Sequence, residues 1–572
     1  MNPLLILFLM MGGLLALLML LSRPLGEYMG DVLEREPVAW ARFLSPVERG
    51  LYRLMGIDGN HRMDWKQYLG SLLAFNALGL AFLFGLLRLQ HHLPLNSQGF
   101  GPMSLPLAFN TAASFVTNTN WQAYSGEAAL GHLAQMLGLT VQNFLSAATG
   151  LCAMAALARG IRRRKATNLG SFWVDVTRIT LYVLLPLSIL FALLLVSQGT
   201  VQTLVASVKA SWLAAPVSGA APEQTLALGP VASQMSIAIL GTNGGGFFGA
   251  NFAHPLTNPT MLANLASIFC ILFIPAACCF TFGKMVRDRR QGWALFAAMS
   301  LILVMATALA GWSERQNVPA VRQVGIVQTT GNLEGKELRN GVESSALWST
   351  VTTAVSCGAV NAQHDSMSPL AGMSQLVLMH IGEVAFGGVG SGLYGMLIFV
   401  FIAVFISGLM VGRTPEYLGK KVEAFEMKMG ALAVLTPSVF ILLGTALAVL
   451  HPKILTWVSN TGPHAFSQVL YAWTSASANN GSAYGGFTAD TPFTNIGLGL
   501  AMLGSRFAPI AAVLAIAGSL AAKKRTPPGP GTLPTHGPFF VVVLVGIVLL
   551  VGALTFLPAL ALGPIAEFFA RI

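Results

Sequence analysis

The residues of this chain whose types and spacing could do chemistry are glycine, asparagine, threonine and serine, gathered in four short segments with almost no carboxylate at their centres. The most legible reads GTNGGGFFGAN, from Gly241 to Asn251; the others are TNTNWQAYSGE (Thr117 to Glu127), SCGAVNAQHDS (Ser356 to Ser366) and SASANNGSAYGGF (Ser475 to Phe487). Centred on Asn118, Asn243, Cys357 and Asn480, they lie 125, 114 and 123 residues apart, which marks an internal repeat.

This composition suits the coordination of a dehydrated monovalent cation. An ion stripped of water needs replacement oxygens, and backbone carbonyls supply them without fixed negative charge. Glycine takes positive φ and lets successive carbonyls aim at one axis, a role open to Gly244, Gly245, Gly246, Gly358 and Gly481. The first segment has no central glycine, so Asn118, Thr119 and Asn120 must form their wall by other means. Thr242, Asn243, Asn361, Asn479 and Asn480 are supports for non-helical backbone as well as candidate ligands. Divalent sites favour carboxylates, whereas Glu127, Asp365 and Asp490 only flank these segments, so potassium fits better than calcium or magnesium. One such segment alone would read as an exposed turn; four at one period would not.

The elements that must hold these segments are membrane helices. Charged residues make up 10% of the 572 residues and hydrophobic ones 54%, which excludes an ordinary water-soluble fold. Apolar stretches long enough to span occur near 3–22, 68–89, 128–159, 177–198, 261–283, 291–312, 372–411, 430–450, 495–522 and 539–562. Basic runs follow the second helix of each pair: Arg162 to Lys165, Lys284 to Arg290, Arg413 to Lys428, and Lys523 to Arg525. The positive-inside rule makes those runs cytoplasmic and puts the four segments and both termini outside. The first connection, with Arg35, Arg42, Arg49, Arg53, Arg62 and Lys66, then falls inside. The N-terminal stretch has no basic n-region and no A-x-A-type site, so it reads as a retained span.

The expected fold is therefore an all-α polytopic membrane protein of about ten transmembrane helices. Four pseudo-fourfold helix–re-entrant pore loop–helix repeats surround one ion pathway, with an extra helix at each end. The expected units are an N-terminal helix and connection at 1–67, repeats at 68–165, 166–290, 291–428 and 429–525, and a C-terminal helix at 526–572.

Other functions are excluded or demoted. The net charge of +11 comes from runs between helices and not from a basic face with interleaved aromatics, which argues against nucleic acid. Cys152, Cys270, Cys278, Cys279 and Cys357 have neither zinc-ligand spacing nor a disulfide framework. The sequence has no G-x-x-x-x-G-K-[ST] loop and no D-K-T-G motif, so any ATP hydrolysis occurs on another chain. No cofactor is expected beyond K+ as transported ligand. The run Gly387 to Gly392 follows no strand and so fails as a dinucleotide site; it reads as a kink or gate, with Gly388 and Gly390 as gate candidates. His254, His364, His380, His464 and His536 are expected to be hydrogen-bonded interfacial residues. Glu383 is a carboxylate at membrane depth, which marks either an ion path or a structural partner. The connection from Arg413 to Lys428 reads as a solvated face or, at Lys420 and Lys421, as a docking surface for an ATPase.

Four motifs carry a specific resemblance: GTNGGGFFGANFAHPLTNPT (Gly241 to Thr260), SCGAVNAQHDS, GEVAFGGVGSGLYGM (Gly382 to Met396) and GRTPEYLGKK (Gly412 to Lys421). With TLPTHGPFF (Thr532 to Phe540), they resemble the KdpA family, the potassium-transporting A subunits of bacterial Kdp ATPases, within the superfamily of K+ transporters. The resemblance implies one K+ selectivity filter built from Asn118, Thr119, Asn120 and Gln122; Thr242, Asn243 and Gly244; Ser356, Cys357 and Gly358; and Asn479, Asn480 and Gly481. It also implies a non-catalytic role beside a P-type ATPase subunit (KdpB), a single-span subunit (KdpC) and a small subunit (KdpF) in the bacterial inner membrane. The chain departs from the family pattern at Gly249 and Phe252, where Asn and Ser are usual. The alternative is a self-sufficient K+ channel or cation symporter of the same superfamily, which the loops alone would serve equally.

Overall fold

The computed structural model describes residues 3–35, 43–211, 223–316, 325, 330–410, 412–527 and 534–570. Arg42 of the first connection and Thr532 and Leu533 of the last motif lie outside the described residues. Among those described, ten helices are long and apolar enough to cross a membrane. They are α1 (Leu4–Glu34), α3 (Trp65–His92), α5 (Ala134–Arg162), α6 (Phe172–Ser197), α8 (Met261–Met285), α9 (Arg289–Glu314), α12 (Ser391–Met410), α13 (Ala424–Val449), α15 (Pro492–Ala522) and α16 (Pro538–Ala570). Shorter helices are α2 (Ser45–Leu54), α4 (Leu105–Val116), α7 (Val231–Leu240), α10 (Gly341–Ala354), α11 (Pro369–His380) and α14 (Gly462–Ala478).

The short helices α4, α7, α10 and α14 each end where one of the four glycine/asparagine segments begins. Each sits between two spanning helices, giving α3–α4–α5, α6–α7–α8, α9–α10–α12 and α13–α14–α15, with α1 leading and α16 trailing. These pore helices are almost wholly buried, as helices hydrophobic all round must be. The second helices α5, α8 and α12 are also largely buried and form the inner wall, while α1, α3, α13 and α16 face outward with many exposed leucines.

Two spans differ from the sequence reading. The stretch at 372–411 is not one helix: α11 ends at His380, α12 starts at Ser391, and the chain between them breaks. Gly382, Glu383, Phe386, Gly387 and Gly390 all have positive φ there, which an α-helix cannot contain. The first span runs on beyond residue 22 through Pro24 to Glu34, where hydropathy falls but helix packing against α8 continues. Glycine permits that packing, since a Cβ on Gly26 would lie 2.5 Å from the Ala277 carbonyl.

All four basic runs gather at one end of the molecule. Lys420 Nζ donates to the carbonyls of Arg163 (2.5 Å), Leu520 (2.8 Å) and Lys523 (2.7 Å), tying the third run to the first and fourth. Arg162 pairs with Glu34, and Lys284 with Asp31, joining the first connection to the first and second runs. Arg159 forms a buried two-pronged pair with Asp175 at 2.5 and 2.9 Å, and Tyr68 also donates to Asp175 at 2.9 Å. The hairpin of β1 (Glu416–Tyr417) and β2 (Lys420–Lys421) turns at Leu418 and Gly419, both left-handed, as a two-residue hairpin turn requires.

Candidate functional site

The site follows from how the four pore helices end. At the equivalent positions Asn118, Thr242, Ser356 and Asn479, φ is +66°, +48°, +57° and +60°. The next residue's N–H then reaches back to the last helical turn: Thr119 to Ser114 O, Asn243 to Ala238 O, Cys357 to Thr352 O and Asn480 to Ser475 O, at 2.9, 2.8, 3.0 and 2.9 Å. This is the six-to-one bond of a Schellman C-cap, whose left-handed residue is usually glycine. Here it is asparagine, threonine, serine and asparagine. Two positions on, Asn120, Gly244 and Gly481 are again left-handed. The first loop thus achieves without glycine what the others achieve with it, because asparagine tolerates the left-handed region best after glycine.

The four loops close into a ring. A Cβ on Gly244 would lie 2.1 Å from Gly358 N, one on Gly358 would lie 2.7 Å from Gly481 C, and one on Gly481 would lie 1.9 Å from Thr119 O. The circle is completed by Asn120 Nδ2, which donates to Gly244 O at 2.9 Å. At three of the four loops only glycine permits this approach.

Side chains brace the ring. Asn118 Nδ2 donates to Gly241 O and Thr242 O at 3.1 and 3.2 Å, and its Oδ1 accepts from Ser146 Oγ and Asn243 Nδ2 at 2.8 and 2.5 Å. Gln122 exchanges two hydrogen bonds with the Gly246 peptide, at 2.8 and 3.2 Å. Ser356 Oγ donates to Asn479 O at 2.8 Å, and Asn479 Nδ2 to Thr119 Oγ1 at 3.0 Å. Thr352 Oγ1 donates to Cys357 O. Every sequence-predicted filter residue therefore lies in or directly against this ring. The bracing residues Ser146, Thr352 and Asn143, which accepts from Asn120 Nδ2 at 2.9 Å, lacked any sequence signal, since a single polar residue in an apolar helix does not reveal which way it faces.

The oxygens left over fit a cation. Among the described residues, the carbonyls of Thr119, Asn243 and Asn480 accept no hydrogen bond, although each residue is buried. The side-chain oxygens of Asn120 and Asn243 are likewise buried and unpartnered. Unpaired acceptors out of water are costly, and a positive ion in the ring would satisfy them. The four helix C-termini converge here, each bringing roughly half a negative charge. No carboxylate stands among the ring residues.

The break between α11 and α12 lies against the same ring. Val389 N donates to Thr242 Oγ1 at 2.9 Å, and a Cβ on Gly388 would lie 3.2 Å from Ser356 Cβ. Gly390, with φ of +79°, abuts the Gly150 carbonyl at 2.3 Å from its own Cβ position. Glu383, itself buried in the break, accepts from Asn480 Nδ2 at 2.7 Å. A cavity of about 120 Å³ opens beside the break, lined by Ser356, Glu383, Gly388, Ser391, Asn479 and Arg506.

Residues expected elsewhere divide. Asp365 ties the third loop to α14 and the fourth loop: it accepts from His464 Nε2, Gln468 Nε2 and Gly486 N at 2.9, 3.0 and 2.7 Å. His464 also meets Glu567 at 3.0 Å. Burial alone would lower the His464 pKa, but the hydrogen bonds its ring donates to both carboxylates raise it to about 9. His364 and His380 bond to Tyr471 and Thr474, and His254 stacks on Phe248, so these histidines have structural partners. Lys420 is no docking residue: it is 1% exposed, with its ammonium spent on three carbonyls. Of the two departures from the family pattern, Gly249 is exposed and lies against Ser125, whose Oγ would sit 2.3 Å from an added Cβ and would have to turn aside for a side chain there. Phe252 is fully buried and packs its ring against Trp348.

The family model described as potassium-transporting ATPase A subunit, KdpA, matches residues 13–569. The potassium-transporting ATPase potassium-binding subunits of Herpetosiphon aurantiacus and Sorangium cellulosum are 56% and 57% identical, each aligned over 97% of both chains. That of Clostridium perfringens is 53% identical over 98% of both. The crystal structure of the potassium transporter TrkH from Vibrio parahaemolyticus superposes with a TM-score of 0.50 at 15% identity, over 86% of this chain and 97% of that one, and so shares the fold. With a family model spanning nearly its whole length and relatives identical at more than half of their positions, this chain belongs to the KdpA family of potassium-transporting ATPase A subunits.

Proposed function

We propose that this chain binds and selects K+ in the ring of Asn118 to Asn120 with Gln122, Thr242 to Gly244, Ser356 to Gly358 and Asn479 to Gly481. The repeats at 68–165, 166–290, 291–428 and 429–525 form its four walls. It acts as the non-catalytic ion-binding subunit of an ATP-driven Kdp potassium uptake complex, and a partner hydrolyses ATP. The observation that carries this reading is the fourfold C-cap with unpartnered buried carbonyls at Thr119, Asn243 and Asn480. Carbonyl oxygens replacing a hydration shell are the established means of selecting potassium. The names of the relatives, all potassium-binding subunits of a potassium-transporting ATPase, support the same role.

The partners in this reading are a P-type ATPase subunit KdpB, a single-span subunit KdpC and a small subunit KdpF. The setting is a bacterial inner membrane, with the basic end inside, and the ring and both termini outside, as the charge distribution favours. Gly388 and Gly390 act as the gate, since the break they occupy is the backbone packed against the ring on the side of the cavity. Ions entering from the outer side would meet the ring before that break.

The test is K+ flux into vesicles. The chain alone is expected to carry no sustained K+ flux, whereas the complex with its ATPase partners accumulates K+ when ATP is added. Flux through the chain alone at the rate of the complex would favour the self-sufficient channel or symporter instead.

A further inference from the structure

The helix α2, in the connection between α1 and α3, takes no part in the ring, yet it leaves a large apolar edge uncovered. Phe43 and Leu54 are 85% and 84% exposed, and Val47 and Met55 are 48% and 47% exposed. Helical spacing puts Val47 and Leu54 on one edge, and Arg49 and Arg53 on a second edge about a third of a turn away, both exposed. The third edge, carrying Glu48, is fixed to the protein. Glu48 accepts from Tyr52, Arg178 and Tyr182, at 2.7, 3.1 and 2.5 Å.

Those partners set the level of α2 in the membrane. Arg178 and Tyr182 stand six and ten residues inside the start of α6, so roughly 9 and 15 Å along its axis. With 26 residues, α6 is about 39 Å long against ~30 Å of hydrocarbon, so only its outermost turn at each end projects beyond the acyl chains. Tyr28 of α1 donates to Tyr182 O at 2.6 Å, and Arg178 Nε to Val32 O at 2.9 Å, which fixes the same level on a second spanning helix. The helix α2 therefore lies along the flank of the bundle, at the boundary of acyl chains and headgroups. It does so at the end of the molecule where the basic runs gather.

We infer that α2 is an interfacial anchor, seating Phe43, Val47 and Leu54 among the acyl chains and Arg49 and Arg53 against the headgroups of an anionic leaflet. An apolar edge beside an arginine edge, lying in the membrane plane, is the arrangement by which such helices bind negatively charged bilayers. The arginines give the preference for anionic lipid, and Glu48 does not oppose it because its carboxylate is taken up by Arg178 and two tyrosines.

The test uses the complete complex carrying Leu54→Cys labelled with an environment-sensitive fluorophore, with Phe43→Cys as a second site. The labelled parent is the control, since of its five cysteines four are buried and Cys270 is partly so. The complex is placed in vesicles of phosphatidylcholine, or of equal parts phosphatidylcholine and phosphatidylglycerol. Acyl-brominated lipid is expected to remove most of the emission and aqueous iodide little of it. Quenching by lipid should be stronger with phosphatidylglycerol, and Arg49→Gln with Arg53→Gln should abolish that difference. Quenching by iodide alone would put the helix in water, and protection from both quenchers would mean a protein partner covers it. Either result overturns the anchor, and equal lipid quenching in both vesicle types overturns the anionic preference. None of these readouts depends on potassium binding.

Discussion

Asn118, Thr242, Ser356 and Asn479 adopt the same left-handed turn with three different side chains, and that single residue directs each pore helix into the ring. The sequence makes the glycines of loops two to four legible, because glycine is the expected occupant of such turns. In the first loop it leaves the means open: there asparagine takes the conformation and then uses its amide to hold the neighbouring loop. At this scale His464 gives a prediction in pH. Its pKa is raised to about 9 because its bonds to Asp365 and Glu567 outweigh the effect of burial, while the unfolded chain titrates near the usual value of about 6.5. The stabilisation it contributes is complete below the unfolded value and is lost as pH rises through the folded one. Thermal unfolding of the complex should show a stability loss between pH ~6.5 and ~9 that His464→Gln lacks. A variant with the same pH profile as the parent would contradict the role of this clamp.

At the scale of elements, the decisive departure is the broken segment between α11 and α12. Hydropathy saw one apolar stretch at 372–411, because the residues of the break are themselves mostly apolar or glycine. What breaks the helix is a run of left-handed residues and the close approach of Gly390 to Gly150 on α5, which only tertiary packing reveals. Gly390→Val should therefore lower potassium uptake by cells that depend on this complex, and undiminished uptake would contradict a gating role. The basic ends of α5 and α6 depend on Arg159 and Asp175. Breaking a buried pair by removing one charge costs about 3–5 kcal/mol, so Asp175→Asn should lower the unfolding temperature and the yield of folded chain. Lys420→Ala should also destabilise, since it removes the three bonds that tie the third basic run to the first and fourth and takes the side-chain donor from the Arg163 carbonyl, whereas the exposed neighbour Lys421→Ala should not.

For the whole molecule, the number of helices, the fourfold repeat and the gathering of basic runs at one end are all readable from composition and spacing. Those properties rest on hydropathy and charge, which act locally along the chain. The closure of the ring is not readable in that way, because it depends on glycine faces more than a hundred residues apart meeting within van der Waals distance. The most direct test of that closure is the K+ concentration giving half-maximal ATPase activity of the assembled complex carrying Gly244→Asp, with Gln122→Arg as a second variant. Gly244→Asp inserts a side chain where a Cβ would already lie 2.1 Å from Gly358 N, and Gln122→Arg replaces a two-way bond to Gly246 with a cation. Both should raise the half-saturating concentration by roughly tenfold or more, corresponding to about 1.4 kcal/mol of lost binding. A half-saturating concentration unchanged from the parent in both variants would contradict the assignment of potassium selection to this ring.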